Sequence, residues 1–229
     1  MSHEEKYFKK YYNLLMLDIR RSYLQIAFNR STLEVARMVS LLPKSERILV
    51  EAGTPFIKQY GKEGIRSLKN WWGGYVVADL KCMDRGSQEV LMASSAGASA
   101  ATCLGLAPTA TIDFFIDECK KNKIDSMVDM MNVRFPFEIL QKLKKLPKIV
   151  ILHRGADEGE NREREIPLYD IHRIRGAYNV LISVAGGETC REVRREIFND
   201  CNIAVVWRAF YDEPEKTAEL AEQFIRELR

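Results

Sequence analysis

Short, almost unbroken apolar runs recur along the chain: LQIAF (24–28), RILVEAG (47–53), YVVADL (75–80), SAATCLG (99–105), MVDMMNV (127–133), KIVILH (148–153), NVLISVAGG (179–187) and IAVVWRA (203–209). Aliphatic and β-branched residues follow one another here with little polar alternation. Such runs suit strands buried on both faces, as in a parallel sheet covered by helices. Helical patterns lie between them. STLEVARMVSLL opens on Ser31 and Thr32 as N-cap candidates, and Glu34, three residues after Ser31, completes a capping box. TPFIKQYGKEGIRSLKNW, SQEVLMASSAG, ATIDFFIDECKKN, FPFEILQKLKKL and PEKTAELAEQFIREL follow, with Pro or a small polar residue near most starts. Strand–helix alternation repeated eight times predicts an α/β fold, a (β/α)8 TIM barrel in a single domain over residues 23–229. An open doubly wound sheet is the alternative. Residues 1–22 precede the first strand and read as an extra N-terminal helical segment, amphipathic and rich in Tyr and Lys. It would serve as a helix capping the bottom of the barrel or as a partner-binding arm.

The active site of such a barrel lies at the C-terminal ends of its strands. Polar residues gather there in this sequence. Asn29 follows LQIAF, Glu51 ends ILVE, and Asp79 with Lys81 ends YVVADLK. Asp129 and Asn132 fall in strand five, His153 and Arg154 end KIVILHR, and Arg208 ends IAVVWR. One polar residue at a strand end is ordinary hydrogen-bonding chemistry; six strands ending this way point to a shared pocket.

Within VVADLKCMDRG, strand alternation sends Asp79 and Lys81 to the same side and leaves Asp84 to the following loop. A lysine flanked by two carboxylates stays protonated, and such a cation can stabilise an enediolate or deliver a proton to one. An ordinary ion-pair cluster is the simpler alternative. Glu51, with Asp79 on the neighbouring strand, makes either a two-carboxylate oxygen site suited to Mg²⁺ and an enediolate, or a partner for Lys81. SVAGGET supplies a Gly186–Gly187 pair after strand seven, and Arg208 ends the next strand. Exposed backbone N–H groups in these last loops are a usual phosphate seat.

Composition narrows the classes. A net charge of +3 with interspersed acids argues against a nucleic-acid surface. The five cysteines are widely spaced and none forms a C-x-x-C pair, so neither a zinc site nor a disulfide framework is expected. No apolar run is long enough to span a membrane, and the start MSHEEKYFKKYY is charged where a signal peptide is apolar. A cytoplasmic protein is expected.

VEAGTPFIKQYG, VVADLKCMDRG, MVDMMNV, LHRGADEG and SVAGG, in this order and spacing, resemble the 3-hexulose-6-phosphate synthase and 3-keto-L-gulonate-6-phosphate decarboxylase family. More remotely they resemble orotidine 5'-monophosphate decarboxylase. The shared D-x-K-x-x-D motif is Asp79, Lys81 and Asp84, and the resemblance covers residues 23–229. It implies a homodimer with active sites at the interface, Asp84 being lent to the partner's site. It implies Mg²⁺ near Glu51 and Asp79, and an enediolate of a sugar phosphate stabilised by the metal and Lys81. It further implies His153 in proton transfer, and phosphate held by Gly186, Gly187 and Arg208. In the synthase, ribulose 5-phosphate adds to formaldehyde. Three positions depart from the pattern. Asn29 stands where the family has Asp, Trp207 where it has Gly before the phosphate arginine, and Glu188 puts an anion directly after the glycine pair.

Overall fold

Each apolar run becomes a strand of one closed parallel ring in the computed structural model, which describes residues 17–157, 168–187 and 189–228. The strands are β1 (Tyr23–Phe28), β2 (Ile48–Ala52), β3 (Val76–Cys82), β4 (Ala100–Leu104), β5 (Asp125–Asp129), β6 (Ile149–His153), β7 (Leu181–Ala185) and β8 (Ile203–Val206). They pair in sequence order, and β1 closes the ring by bonding both β2 and β8, with Leu24 opposite Ile48 on one side and Ala204 on the other. Around them run α1 (Thr32–Leu41), α2 (Thr54–Trp72), α3 (Gly86–Ser95), α4 (Thr109–Lys121), α5 (Pro136–Lys142), α6 (Tyr169–Ala177), α7 (Cys190–Phe198), α8 (Arg208–Asp212) and α9 (Thr217–Arg226). This is a (β/α)8 barrel.

Strand alternation divides the core in two. Leu24, Ile26 and Phe28 point outward and pack with helix residues such as Val35, Phe56, Ile65 and Phe224. Leu49, Val77, Ala100, Met127, Ile149, Leu181 and Ile203 fill the barrel's interior. Each fully buried large side chain contributes about 1.5–3 kcal/mol, so both shells add to the backbone ladders that close the ring. On four strands, two residues beyond that apolar layer, the interior turns polar: Glu51, Asp79, Thr102 and Asp129, all buried. That change of layer places the site.

Local signals act where expected. At the start of α1, Ser31 Oγ accepts from the Glu34 amide at 3.4 Å while Glu34 accepts from the Ser31 amide at 3.2 Å. The structure departs from the sequence reading in four places. Residues 17–22 form turns rather than helix, because a turn closed by Asp18 leads into β1; residues 1–16 lie outside the described residues. Strand five stops at Asp129, and Asn132 sits exposed in a left-handed turn (φ 58°). Strand eight stops at Val206, so Arg208 opens a short helix instead of ending a strand. Helices α6 and α7 stand in charge-rich stretches not read as helices from the sequence.

Candidate active site

A cavity of about 630 Å³ opens at the C-terminal end of the barrel. Glu51, Asp79, Lys81, Asp129 and His153 line it from below, and Asn29, Gly186, Trp207 and Arg208 from the rim.

Lys81 is the centre of the charge network. Its Nζ lies 2.9 and 3.2 Å from the two oxygens of Asp79 and 3.2 Å from Asp129 Oδ2. The sequence reading flanked this lysine with Asp79 and Asp84; within one chain the second carboxylate is Asp129. Asp84 is exposed, accepts from the Arg85 amide at 2.8 Å, and lies off the cavity lining. Simple alternation does not bring Lys81 here. The β3–β4 register shifts between Ala78 and Cys82, Lys81 adopts a left-handed backbone (φ 46°), and its amide donates to Thr102 Oγ1 at 2.9 Å. A bulge of this kind re-aims a side chain at the cost of local strain, which concentrates at functional sites.

The acids are held as firmly. Asp79 accepts from Thr54 Oγ1 at 2.7 Å and from Thr102 Oγ1 at 2.8 Å. Asp129 accepts from the Met131 amide at 2.9 Å, and its Oδ2, shared with Lys81, lies 2.7 Å from His153 Nδ1. Occupying Nδ1 this way leaves Nε2 as the ring nitrogen available for proton exchange. Burial opposes the charge on Lys81, yet Asp79 and Asp129 raise it above the ordinary lysine value. Burial likewise disfavours a charged His153, and Asp129 outweighs it, raising the imidazole. Asp129 goes the other way: burial resists ionisation, but His153 and Lys81 keep it below the usual carboxylate range.

Glu51 differs from both aspartates. Its partner is Gln25, which donates to Oε2, rather than Lys81. Burial first, and the neighbouring Asp79 charge second, push it up to about 7. Glu51 and Asp79 thus set two carboxylates on neighbouring strands of the cavity lining. This donor set fits Mg²⁺, which takes one or two carboxylates and fills its remaining positions with water and substrate oxygens. No cluster of three acidic, His or Cys side chains suited to a metal occurs among the described residues.

At the rim, Arg208 lies over the Trp207 ring (5.0 Å) and donates to the Ala156 carbonyl at 3.3 Å. Trp207 is a wall here, and the cavity stays open beside it. The Asn29 side chain lies against Gly53, where a Cβ would fall 1.9 Å from Asn29 Oδ1. Arg30, Lys58 and Arg154 also line the cavity. Gly186 has φ 121°, and a Cβ there would meet Arg154 at 3.0 Å, so the turn requires glycine. Gly187 is buried and off the lining, its α-carbon turned to Glu196; Glu188 lies outside the described residues.

Glu196, behind the turn, accepts no hydrogen bond among the described residues, and burial with the nearby Glu192 charge pushes it well above the ordinary carboxylate range. The native state therefore keeps a proton that the unfolded chain loses above about pH 4.5, and stability falls as pH rises past that point. Glu196→Gln should raise the melting temperature near neutral pH, the gain shrinking to nothing below about pH 4. A gain that is constant with pH would show that Glu196 is ionised in the folded protein.

Sequence reasoning missed Gln25, Thr54 and Thr102, and gave Asp129 no role. Gln25 was the findable one, a lone amide inside LQIAF.

The profile of the orotidine 5'-phosphate decarboxylase / HUMPS family matches residues 22–223. The chain belongs to that family. The bifunctional enzyme Fae/Hps of Methanothrix thermoacetophila is 40% identical over 211 residues, covering 90% of this chain and 53% of that protein. The chain thus spans about half the length of the curated relatives it matches. A crystal structure of 3-hexulose-6-phosphate synthase superposes with a TM-score of 0.78 at 26% identity, covering 90% of this chain and 99% of that one. The family fold extends to 3-keto-L-gulonate-6-phosphate decarboxylase from Vibrio cholerae, with a TM-score of 0.74 at 18% identity, covering 90% and 97% of the two chains. No described helix is long and apolar enough to cross a membrane.

Proposed function

We propose that this chain is a Mg²⁺-dependent carbon–carbon lyase acting on a sugar phosphate, by the 3-hexulose-6-phosphate synthase reaction: aldol addition of formaldehyde to D-ribulose 5-phosphate, or its reverse. The observation that carries this reading is the Lys81 ammonium held between Asp79 and Asp129, with His153 on the same Asp129 oxygen. An enediolate is an oxyanion next to a carbon that has lost a proton, and these groups meet both needs. Lys81 supplies positive charge that is fixed before reaction and needs no rearrangement as the oxyanion forms. His153, through Nε2, moves the proton at carbon 1. Glu51 and Asp79 would hold Mg²⁺, whose chemistry is to polarise the substrate's carbonyl and hydroxyl oxygens. Arg208 and the Gly186 turn bind the phosphate, with Arg30 and Lys58 adding positive potential. The synthase structure and the Fae/Hps relative support the choice of reaction.

The same reading includes a homodimer with shared sites. The exposed apolar residues Met83, Leu91, Leu106, Phe114 and Phe135 fall on α3, α4 and the loops after β3, β4 and β5, the sector of the barrel that carries the exposed Asp84 loop. Helices α3 and α4 pack side by side, and exposed apolar groups collected on such a surface favour a partner.

Incubation with ribulose 5-phosphate, formaldehyde and Mg²⁺ should consume formaldehyde, EDTA should stop it, and added Mg²⁺ should restore it. Turnover insensitive to EDTA would remove the metal from the scheme. No turnover, beside an active Asn29→Asp, Trp207→Gly double variant, would show that this chain has left the synthase reaction. Arg208→Ala should raise KM for the sugar phosphate by about tenfold or more, as expected for loss of a charge-assisted contact of about 1.5–3 kcal/mol, with a smaller effect on kcat.

A further inference from the structure

A second cavity, about 640 Å³, lies at the opposite end of the barrel, where β4, β5 and β6 begin. Its volume matches that of the candidate active site, and its charge is one-sided. Lys69, Lys120, Lys123, Lys145 and Lys148 line it, against a single lining acid, Asp125. Asp125 interacts with Lys148, and one acid does not balance five lysines. Burial pushes its carboxyl up, and it is engaged by the Tyr75 hydroxyl, which donates at 2.7 Å. Lys145 is paired outside the lining with Asp117, and Lys69 donates to the Gly74 carbonyl at 2.7 Å.

Helix ends account for part of this cluster. Lys69 and Lys120 stand in the last turns of α2 and α4, where cations suit the exposed carbonyls. They do not account for the rest. Lys123 follows α4 in a left-handed conformation (φ 57°), and Lys145 and Lys148 sit in the loop before β6. Ammonium groups gathered around one concavity repel each other, and low-dielectric walls focus their field on whatever enters. Those walls are apolar: Ile116, Ile124, Leu146 and Pro147.

We infer that this lysine-lined cavity is a second ligand site, which takes a small organic phosphate with a flat or apolar body, of the nucleotide class. The phosphates meet Lys123 and Lys148, and the body lies on Ile116, Ile124 and Pro147. The site is separate from the Lys81 cavity and needs none of its residues.

ATP is the probe, titrated calorimetrically into the full chain at low salt with EDTA present. Expected is saturable binding with one site per chain, weakened at least about tenfold by Lys123→Glu with Lys148→Glu, as reversal of two nearby charges should produce. Arg208→Ala should leave it unchanged. Pyrophosphate should compete and adenosine should not. Both lysines are solvent-accessible, and circular dichroism checks that the variant folds; the milder Lys123→Gln, Lys148→Gln pair should give an intermediate loss. Absence of ATP binding, binding indifferent to both lysine pairs, or binding lost in Arg208→Ala would overturn the inference.

Discussion

Lys81→Ala is expected to lower turnover by about two to four orders of magnitude, the range for losing a fixed oxyanion-stabilising or proton-transferring group. The size follows from the lack of a substitute. Among the described residues Lys81 is the one cation within hydrogen-bonding distance of both Asp79 and Asp129, and Arg30, Lys58 and Arg208 also line the cavity. Removing it also leaves buried Asp79 without its ion-pair partner and Asp129 with His153 alone, and breaking a buried pair typically costs about 3–5 kcal/mol. A lower melting temperature should therefore accompany the loss of activity. Lys81→Arg separates the two effects. It restores the charge and most of the stability, but its wider guanidinium does not reproduce a point charge between two carboxylates, so turnover should stay low. Near-normal turnover in Lys81→Ala at matched folded fraction would reduce the cluster to a structural ion pair.

Mixing two inactive variants, Lys81→Ala and Asp84→Ala, is expected to return about a quarter of wild-type activity. Asp84 lies off the lining of its own chain's cavity, so a catalytic role requires a neighbouring subunit. In a two-fold dimer each hybrid then has one site with both lesions and one site with neither. Random reassortment makes about half the dimers hybrids, and half of their sites are intact. If Asp84 acts within its own chain, every site keeps a lesion and mixing restores nothing. Leu91→Glu and Phe114→Glu test the same surface from the other side, since charges there should shift the protein toward monomer.

The barrel was legible in the sequence because parallel strands covered on both faces must be apolar throughout, and the runs beginning at Leu24, Tyr75 and Lys148 could be little else. Helices α6 and α7 were not legible: Arg173, Arg175, Arg191, Arg194 and Arg195 dominate stretches whose buried apolar positions, Ile171, Ile174, Val193 and Ile197, are few. Strand ends were overrun where the apolar run continues past the last ladder bond, as at Met130 and Trp207. The site was read from strand-end chemistry, which found Glu51, Asp79, Lys81 and His153. It paired Lys81 with Asp84 because the two are close in sequence. Asp129, two strands away, meets Lys81 in space, from a backbone that is irregular at Lys81. The hydroxyls of Thr54 and Thr102 gave no signal, since threonine is equally at home as a β-former or a helix cap.

Formation of the enediolate can be watched without formaldehyde. Ribulose 5-phosphate incubated in D₂O with the chain and Mg²⁺ is followed by proton NMR at carbon 1, where loss and return of a proton exchange hydrogen for deuterium. Expected is stereospecific loss of one carbon-1 signal with wild type, and retention of both signals with Lys81→Ala. Retention of both with a folded wild-type protein that binds ribulose 5-phosphate, or exchange as fast in Lys81→Ala, would contradict enediolate chemistry at the Lys81 cluster.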